Sequence, residues 1–309
     1  MYGLVDWFRR RTPPTYRPVI LVTGCSSGIG AALADLLHSK AQYRVVVTAR
    51  ANSLRPLQEK FGDDERFWVR PLDVTSPGDR QRLLSEIKRR WGGVDILINN
   101  AGISYRSVVE HMSPEDEHRQ MAVNYFGPLE LIRMVLPFMR EKGRGKIINV
   151  SSVSGMLAMP TMASYSASKH ALEGVSEALW YEMRPLGINV SLIQPGFINS
   201  NSFKKVYYSE ASRQALKEGG PYSDYYEHMS PFIERLMRWS LSSPESVARV
   251  ILRVIRRQHP ALWIPATPDA LIFYYLRRLF PRSLLLPILF AALPKTSEWA
   301  KKYTRRRVS

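Results

Sequence analysis

The sequence is poor in cysteine, in acid and in long apolar runs. Cys25 is the single cysteine among 309 residues. One thiol excludes an internal disulfide and a multi-cysteine zinc site, and nothing asks for an oxidising compartment. The six histidines show no paired ligand spacing, so no metal site is expected. Internal repeats and low-complexity linkers are also missing. What is present, 45% hydrophobic and 23% charged residues, excludes a disordered or collagen-like chain. A chain of this length buries a large core without staples.

The shortage of acid is uneven. Formal net charge is +17, of which residues 1–18 supply +3 and residues 268–309 supply +7. In the C-terminal stretch, Arg277, Arg278 and Arg282 alternate with leucines and aromatics over 271–293. That interleaving suits an amphipathic helix lying on an anionic membrane surface. The uncharged run 283–294 contains Pro287 and falls far short of the ~20 residues that span a bilayer. Met1–Phe8, followed by three arginines, is too short for a signal-peptide core. The expectation is a cytoplasmic protein, not secreted, held peripherally at a membrane. Packing of both ends on the body or on a second subunit is the alternative. Nucleic acid is not an expected partner, because the basic residues stand beside apolar ones and not in a polar stripe.

Short β-rich runs alternate with helical patterns along the body. Strands are expected at 19–23, 44–49, 66–72, 94–99, 146–151, 189–194 and 261–265. Helices are expected at 29–39, 53–61, 79–91, 114–140, 164–185 and 244–257. Apolar strands alternating with helices define an α/β, doubly wound, Rossmann-like seven-stranded parallel sheet with helices on both faces. The expected organisation is an N-terminal basic arm (1–17), a dinucleotide-binding catalytic domain (18–265) and an amphipathic extension (266–309). Residues 197–240 show no strong period, and an irregular insertion of that length reads as a substrate lid.

After the first strand stands Thr23-Gly24-Cys25-Ser26-Ser27-Gly28-Ile29-Gly30, opening a helix. Glycines permit a tight turn and close approach of backbone to a pyrophosphate, and the helix N-terminus offers free amides. The spacing Gly-x-x-x-Gly-x-Gly differs from the general fingerprint. Where an NAD enzyme places an acid, after the second strand, this chain has Arg50. A guanidinium there suits the 2′-phosphate of NADP, so NADP is expected over NAD. Cys25 has no base placed for it and is read as a packing residue.

Tyr165 and Lys169 are four residues apart on a helical segment and share a face. A phenol titrates near ~10, and an ammonium beside it lowers that value, which makes a proton donor for a carbonyl or a base for an alcohol. Together, the glycine turn, Asn99-Asn100-Ala101-Gly102, Tyr165…Lys169, Ser152 thirteen residues before the tyrosine, and Pro195-Gly196 resemble the short-chain dehydrogenase/reductase family. The resemblance covers about residues 18–265. It implies hydride transfer between a nicotinamide and a carbonyl or alcohol carbon. It implies Tyr165 as general acid/base, Lys169 lowering its pKa and holding the ribose, Ser152 polarising the substrate oxygen, and Asn124 as a fourth catalytic member. It further implies cofactor contacts from Gly24, Ser26, Ser27, Gly28, Ile29, Gly30, Arg50, Asp73, Val74, Asn99, Ala101, Gly102, Pro195, Gly196 and Ile198. A homo-oligomer paired through the two long helices is implied as well. From the sequence itself, Pro128 cannot donate to the carbonyl of Asn124, so a kink and a freed carbonyl are expected there.

The lid stretch carries Phe203, Tyr207, Tyr208, Tyr222, Tyr225, Tyr226, Met229, Phe232, Met237 and Trp239. Such content suits a bulky apolar substrate. The pattern resembles the retinol and 17β-hydroxysteroid dehydrogenase branch, with a retinoid, steroid, long-chain aldehyde or keto lipid as substrate. A small polar or acyl-carrier substrate, or a non-catalytic NADP-binding regulator, are the alternatives.

Overall fold

Valine- and isoleucine-rich runs of three to seven residues form the strands, because branched side chains pack well on a pleated surface. The computed structural model describes residues 16–200 and 206–299. In chain order the elements are β1 (Val19–Val22), α1 (Gly28–His38), β2 (Arg44–Ala49), α2 (Arg55–Phe61), β3 (Phe67–Pro71), α3 (Pro77–Trp91), β4 (Ile96–Asn99), α4 (Pro114–Met121) and α5 (Gly127–Lys142). There follow β5 (Gly145–Val150), α6 (Ala163–Met183), β6 (Ile188–Gln194), α7 (Glu210–Glu218), α8 (Ser223–Trp239), α9 (Pro244–Arg256), β7 (Trp263–Pro265), α10 (Pro268–Leu279) and α11 (Arg282–Ala291). All seven strands are parallel, in the order β3-β2-β1-β4-β5-β6-β7.

Alternate residues of each strand feed two cores, one on each face of the sheet. Ile20 and Val45 meet Leu33 and Leu37 of α1 and Val247 and Ile251 of α9. Leu21 and Val46 face the other way, toward Leu83 and Ile87 of α3 and Leu131, Val135 and Met139 of α5. Helix starts follow from the sequence. Ser76, Ser113, Ser243 and Thr267 accept from backbone N–H groups of the first turn, each followed by a proline at the first helical position.

Two stretches differ from the sequence expectation. The expected helix 114–140 is α4 and α5 joined by a π-turn over Ala122–Phe126, in which the Gly127 N–H reaches back five residues to Ala122 O. Pro128 has no N–H to continue the regular ladder, and the wider turn absorbs the defect. The stretch 197–240 is not irregular but carries α7 and α8. These helices bury Ser212, Ser223, Asp224 and Tyr226, so their inner face reads as polar in the sequence and hides the helical period.

The extension forms α10 and α11. Leu285, with Phe273, Tyr274, Leu276 and Leu289, packs on Val153, Met156 and Leu157, just after β5. The outer surface leaves Leu271, Ile272, Tyr275, Leu279, Leu284, Leu286, Ile288 and Phe290 exposed. Among the described residues, no helix is long and apolar enough to cross a membrane. The N-terminal arm to residue 15 and the basic cluster after residue 299 lie outside the described residues.

Candidate active site

β1 and β4 are neighbours, and the connections leaving them cover opposite faces of the sheet. A crevice opens at the carboxyl ends of such strands. Here it is a cleft of about 870 Å³. Its walls follow the sheet order: Arg50 and Asp73 beyond β2 and β3, the glycine turn, Ser152 and Tyr165, then Phe197, Tyr207, Ile233 and Met237.

Gly24 and Gly28 hold φ of +71° and +58°, the left-handed region that glycine tolerates. The turn is tied to the end of β4. Thr23 Oγ1 accepts from the N–H groups of Asn100 and Ala101, both at 3.0 Å. Asn100 Nδ2 donates to Thr23 O at 2.9 Å and Gly24 O at 3.0 Å. Ser27 leads into α1 without a side-chain cap, so the amides of the first turn stay free. No heavy atom lies within 4 Å of where a Gly28 Cβ would stand. Free amides beside open space fit a dinucleotide pyrophosphate. Ser26, Ser27, Gly28, Ile29, Arg50, Asp73, Val74, Ala101 and Gly102 all line this part of the cleft.

Gly30 and Asn99 do not line it. A Cβ on Gly30 would stand 2.3 Å from Gly24 O, so this glycine serves the close packing of the turn. Asn99 turns its side chain into the protein, where Nδ2 donates to Asn149 Oδ1 at 2.8 Å, in place of the expected cofactor contact. The neighbouring Asn100, quoted in the motif but given no role there, is the residue that knits the turn. The need to satisfy carbonyls left open by a glycine turn was the available signal.

Ser152 sits just past β5, and Tyr165 and Lys169 occupy the first two turns of α6. All three line the cleft. Burial pushes the Tyr165 phenol up, and a hydrogen bond from Ser152 pulls it back down. Lys169 Nζ donates to Val150 O at 2.9 Å and lies 5.9 Å from the centre of the Tyr165 ring. Burial lowers the Lys169 ammonium to about 8, opposed by the charge of Glu173. Asn124, fully buried in the π-turn, does not line the cleft. Its Oδ1 accepts from Ile103 N, and its Nδ2 donates to Ile103 O and Ser168 Oγ, at 2.9 to 3.0 Å. It thus ties the segment following β4 to α6, one residue from Lys169. Ser151 is spoken for: its hydroxyl donates to buried Glu173 at 2.7 Å, which also accepts from Gln194. Cys25 is fully buried and burial pushes its thiol up to about 12, in keeping with a packing role.

Pro195, Gly196, Phe197 and Ile198 form the next wall. Two residues that the sequence reading missed hold it. Gly196 N donates to Thr267 Oγ1 at 2.9 Å, and Phe197 N donates to Asp269 Oδ2 at 2.8 Å. The N-terminus of α10 is therefore built onto this loop. The cap sequence was visible, but its partner some 70 residues earlier was not. Of the lid aromatics, Tyr207 reaches the cleft, joined by Met237 and by Val206 and Ile233. Tyr226 and Met229 are buried in the packing of the lid itself, Trp239 is exposed, and Phe203 lies outside the described residues.

A glycine turn at the switch point and a Ser–Tyr–Lys set beside it define a dinucleotide-dependent oxidoreductase. The family described as short chain dehydrogenase matches residues 18–211. An oxidoreductase of Bacillus subtilis (strain 168), YusZ, is 33% identical over 277 residues, covering 86% of this chain and 95% of that protein. The 3-ketodihydrosphingosine reductase of Bacteroides thetaiotaomicron is 35% identical over 242 residues, covering 78% of this chain and 85% of that protein. Among solved structures, a short-chain dehydrogenase from Streptomyces avermitilis superposes with a TM-score of 0.72 at 30% identity, covering 95% of this chain and all of that one. One from Burkholderia phymatum, in complex with NAD, gives 0.70 at 25% identity, covering 86% and 95%. The chain belongs to the short-chain dehydrogenase/reductase family and is an NAD(P)-dependent oxidoreductase.

Proposed function

We propose that the protein reduces a lipophilic carbonyl compound with NADPH, with Tyr165 giving the proton. The observation that carries this is that Ser152, Tyr165 and buried Lys169 line one cleft at the point where it turns apolar. Bound nicotinamide supplies the hydride. Ser152 directs a neutral donor at the oxygen on which charge develops. Tyr165 protonates that oxygen. The Lys169 ammonium stabilises the phenolate left behind and, with Asn124 fixing α6 through Ser168, stays in place for the next cycle.

Arg50 supports NADP. It is exposed at the rim of the cleft directly after β2, where its planar fork would meet a 2′-phosphate. The apolar substrate class rests on Met159, Met162, Phe197, Ile233 and Met237, which line the far end. It is also in keeping with the name of the Bacteroides relative, a 3-ketodihydrosphingosine reductase. The exposed apolar face of α10 and α11, bordered by Arg277, Arg278 and Arg282, supports peripheral contact with an anionic membrane through the extension 266–309. Exposed Phe126 and Tyr181, beside and on the long helices, support pairing of two copies there.

The test is NADPH, then NADH, with retinaldehyde, ketosteroids, long-chain aldehydes and 3-keto lipids, followed at the nicotinamide absorbance. Turnover with NADPH that Tyr165→Phe abolishes is the expected result. No turnover of any compound, with NADPH still bound, overturns the reading. Liposome flotation with and without residues 268–309 tests the membrane contact, and equal flotation would remove it.

A further inference from the structure

Among the described residues, the Arg106 guanidinium has no hydrogen-bonding or ion-pair partner. The residue follows β4 by a few residues and is 3% exposed, yet its side chain lines the cleft. Its backbone N–H donates to Tyr207 O at 2.8 Å, which pins it against the lid, and the rings of Tyr105 and Tyr207 pack beside it with centroids 5.3 Å apart. Nε has no hydrogen-bond partner. Among the described residues, the guanidinium donates no hydrogen bond and joins no ion pair. Glu234 and Tyr208 bear on it only through space. The contrast is Arg80, buried to a similar degree, whose Nη1 donates to Val74 O at 2.6 Å.

A buried unpaired charge is strongly unfavourable, and structures keep one where something pairs with it. The neighbouring walls, Met159, Met162, Ile233 and Met237, hold no charge to do so. Exposed Arg119 lies on the same wall, its guanidinium 5.1 Å from the Tyr207 ring, so the pocket is cationic at its edge and within. A guanidinium fork matches a carboxylate or phosphate, whose oxygens accept two N–H groups at once. Arg50, just after β2, is a separate cation at the rim of the cleft, the one proposed above to meet the 2′-phosphate.

We infer that Arg106 is the anion-recognition residue of the substrate pocket, and that the substrate carries an oxyanion, carboxylate or phosphate, as well as the carbonyl and an apolar body. This rests on the pocket being the reductase pocket proposed above, and it narrows that substrate class. Neutral ketones and cationic amino ketones become weaker substrates than their acidic counterparts. An apolar chain with an acidic end becomes a good one.

The test uses the full chain saturated with NADPH. Dodecanoate, dodecyl phosphate, dodecanol and dodecylamine are titrated by calorimetry into wild type, Arg106→Met and Arg106→Lys. The expected result is that both anions bind wild type at least roughly tenfold more tightly than the alcohol or the amine. Arg106→Met erases that preference, and Arg106→Lys keeps part of it. Equal binding of all four, no binding of any, or a preference that survives Arg106→Met overturns the inference. So does a tenfold loss of NADPH affinity in Arg106→Met, which would give the residue to the cofactor. Should the variant not fold, as its melting curve would show, competition in wild type decides: dodecyl phosphate must displace dodecanoate and dodecanol must not. A second arm compares reduction of 10-oxooctadecanoate with that of its methyl ester. Arg106-dependent anion binding with no reduction of any carbonyl sinks the reductase reading and leaves Arg106 as an anion site alone. Equal, Tyr165-dependent reduction of acid and ester does the reverse.

Discussion

The two ends of the cleft are held by different means. The cofactor end is made of strand termini and backbone, and the Thr23–Asn100 hydrogen bonds leave the glycine turn one conformation. The substrate end is made of helices that arrive from distant parts of the chain. Its lid is closed by hydroxyls: Ser107, Ser209, Ser212 and Tyr226 bond one another at 2.7 to 2.9 Å. Backbone geometry depends on few residue types, so the first end is uniform chemistry on a fixed frame. Hydroxyl networks and packed aromatics change with each substitution, so on the proposed function the second end is where specificity would reside.

Breaking the shared chemistry between the two ends has the largest effect. Tyr165→Phe keeps the ring and removes the proton, so kcat is expected to fall by roughly 10²–10⁴-fold with cofactor affinity kept. Loss of affinity in place of rate would move Tyr165 from chemistry to binding. Gly30→Ala strikes the rigid end. The new methyl has no room against Gly24 O and Asn100 Nδ2, and about 1–3 kcal/mol of stability should go, seen as a lower denaturant midpoint and weaker NADPH binding.

A pH profile then sharpens the boundary. Lys169 is a cation below about 8 and neutral above it, so kcat/KM for reduction should fall as pH rises through that value. Glu173→Gln removes the carboxylate that favours the ammonium, which moves the alkaline limb to lower pH. An unmoved limb would show that Glu173 acts only through Ser151 and Gln194. The smallest effect is at the wall held by α10. Asp269→Ala strips Phe197 N of its acceptor, and KM for the cofactor should rise about fivefold, near ~1 kcal/mol.

What the sequence disclosed follows the same division. The strands, the glycine turn and the Tyr165–Lys169 pair were legible because each is a local pattern whose physical requirement stays within a few residues, whereas Ser152 came only with the family resemblance. Asn99 and Asn100 show the limit. Both amides stand in one motif, and which of them faces the turn depends on the pleat at the end of β4. The π-turn at Asn124 was foreshadowed by Pro128, but its width depends on Gly127 passing Val74. Arg106 had no signal, because an arginine after a strand looks like any solvated arginine until the lid closes over it. The helices of the lid were missed because serine and tyrosine occupy their buried face.

The clasp of α10 on the loop after β6 has a consequence for biosynthesis. Gly196 and Phe197 leave the ribosome well before Thr267 and Asp269, whose side chains secure them. Until then the nascent sheet carries a pyrophosphate cradle and a tyrosine with no settled seat for the nicotinamide. The helix after β7 therefore completes a wall that the strands alone leave unsecured. A chain cut after β7 would lack both acceptors for the 196–197 amides, so on the proposed function it is expected to lose turnover before it loses dinucleotide binding, which a titration of that truncation with NADPH would check.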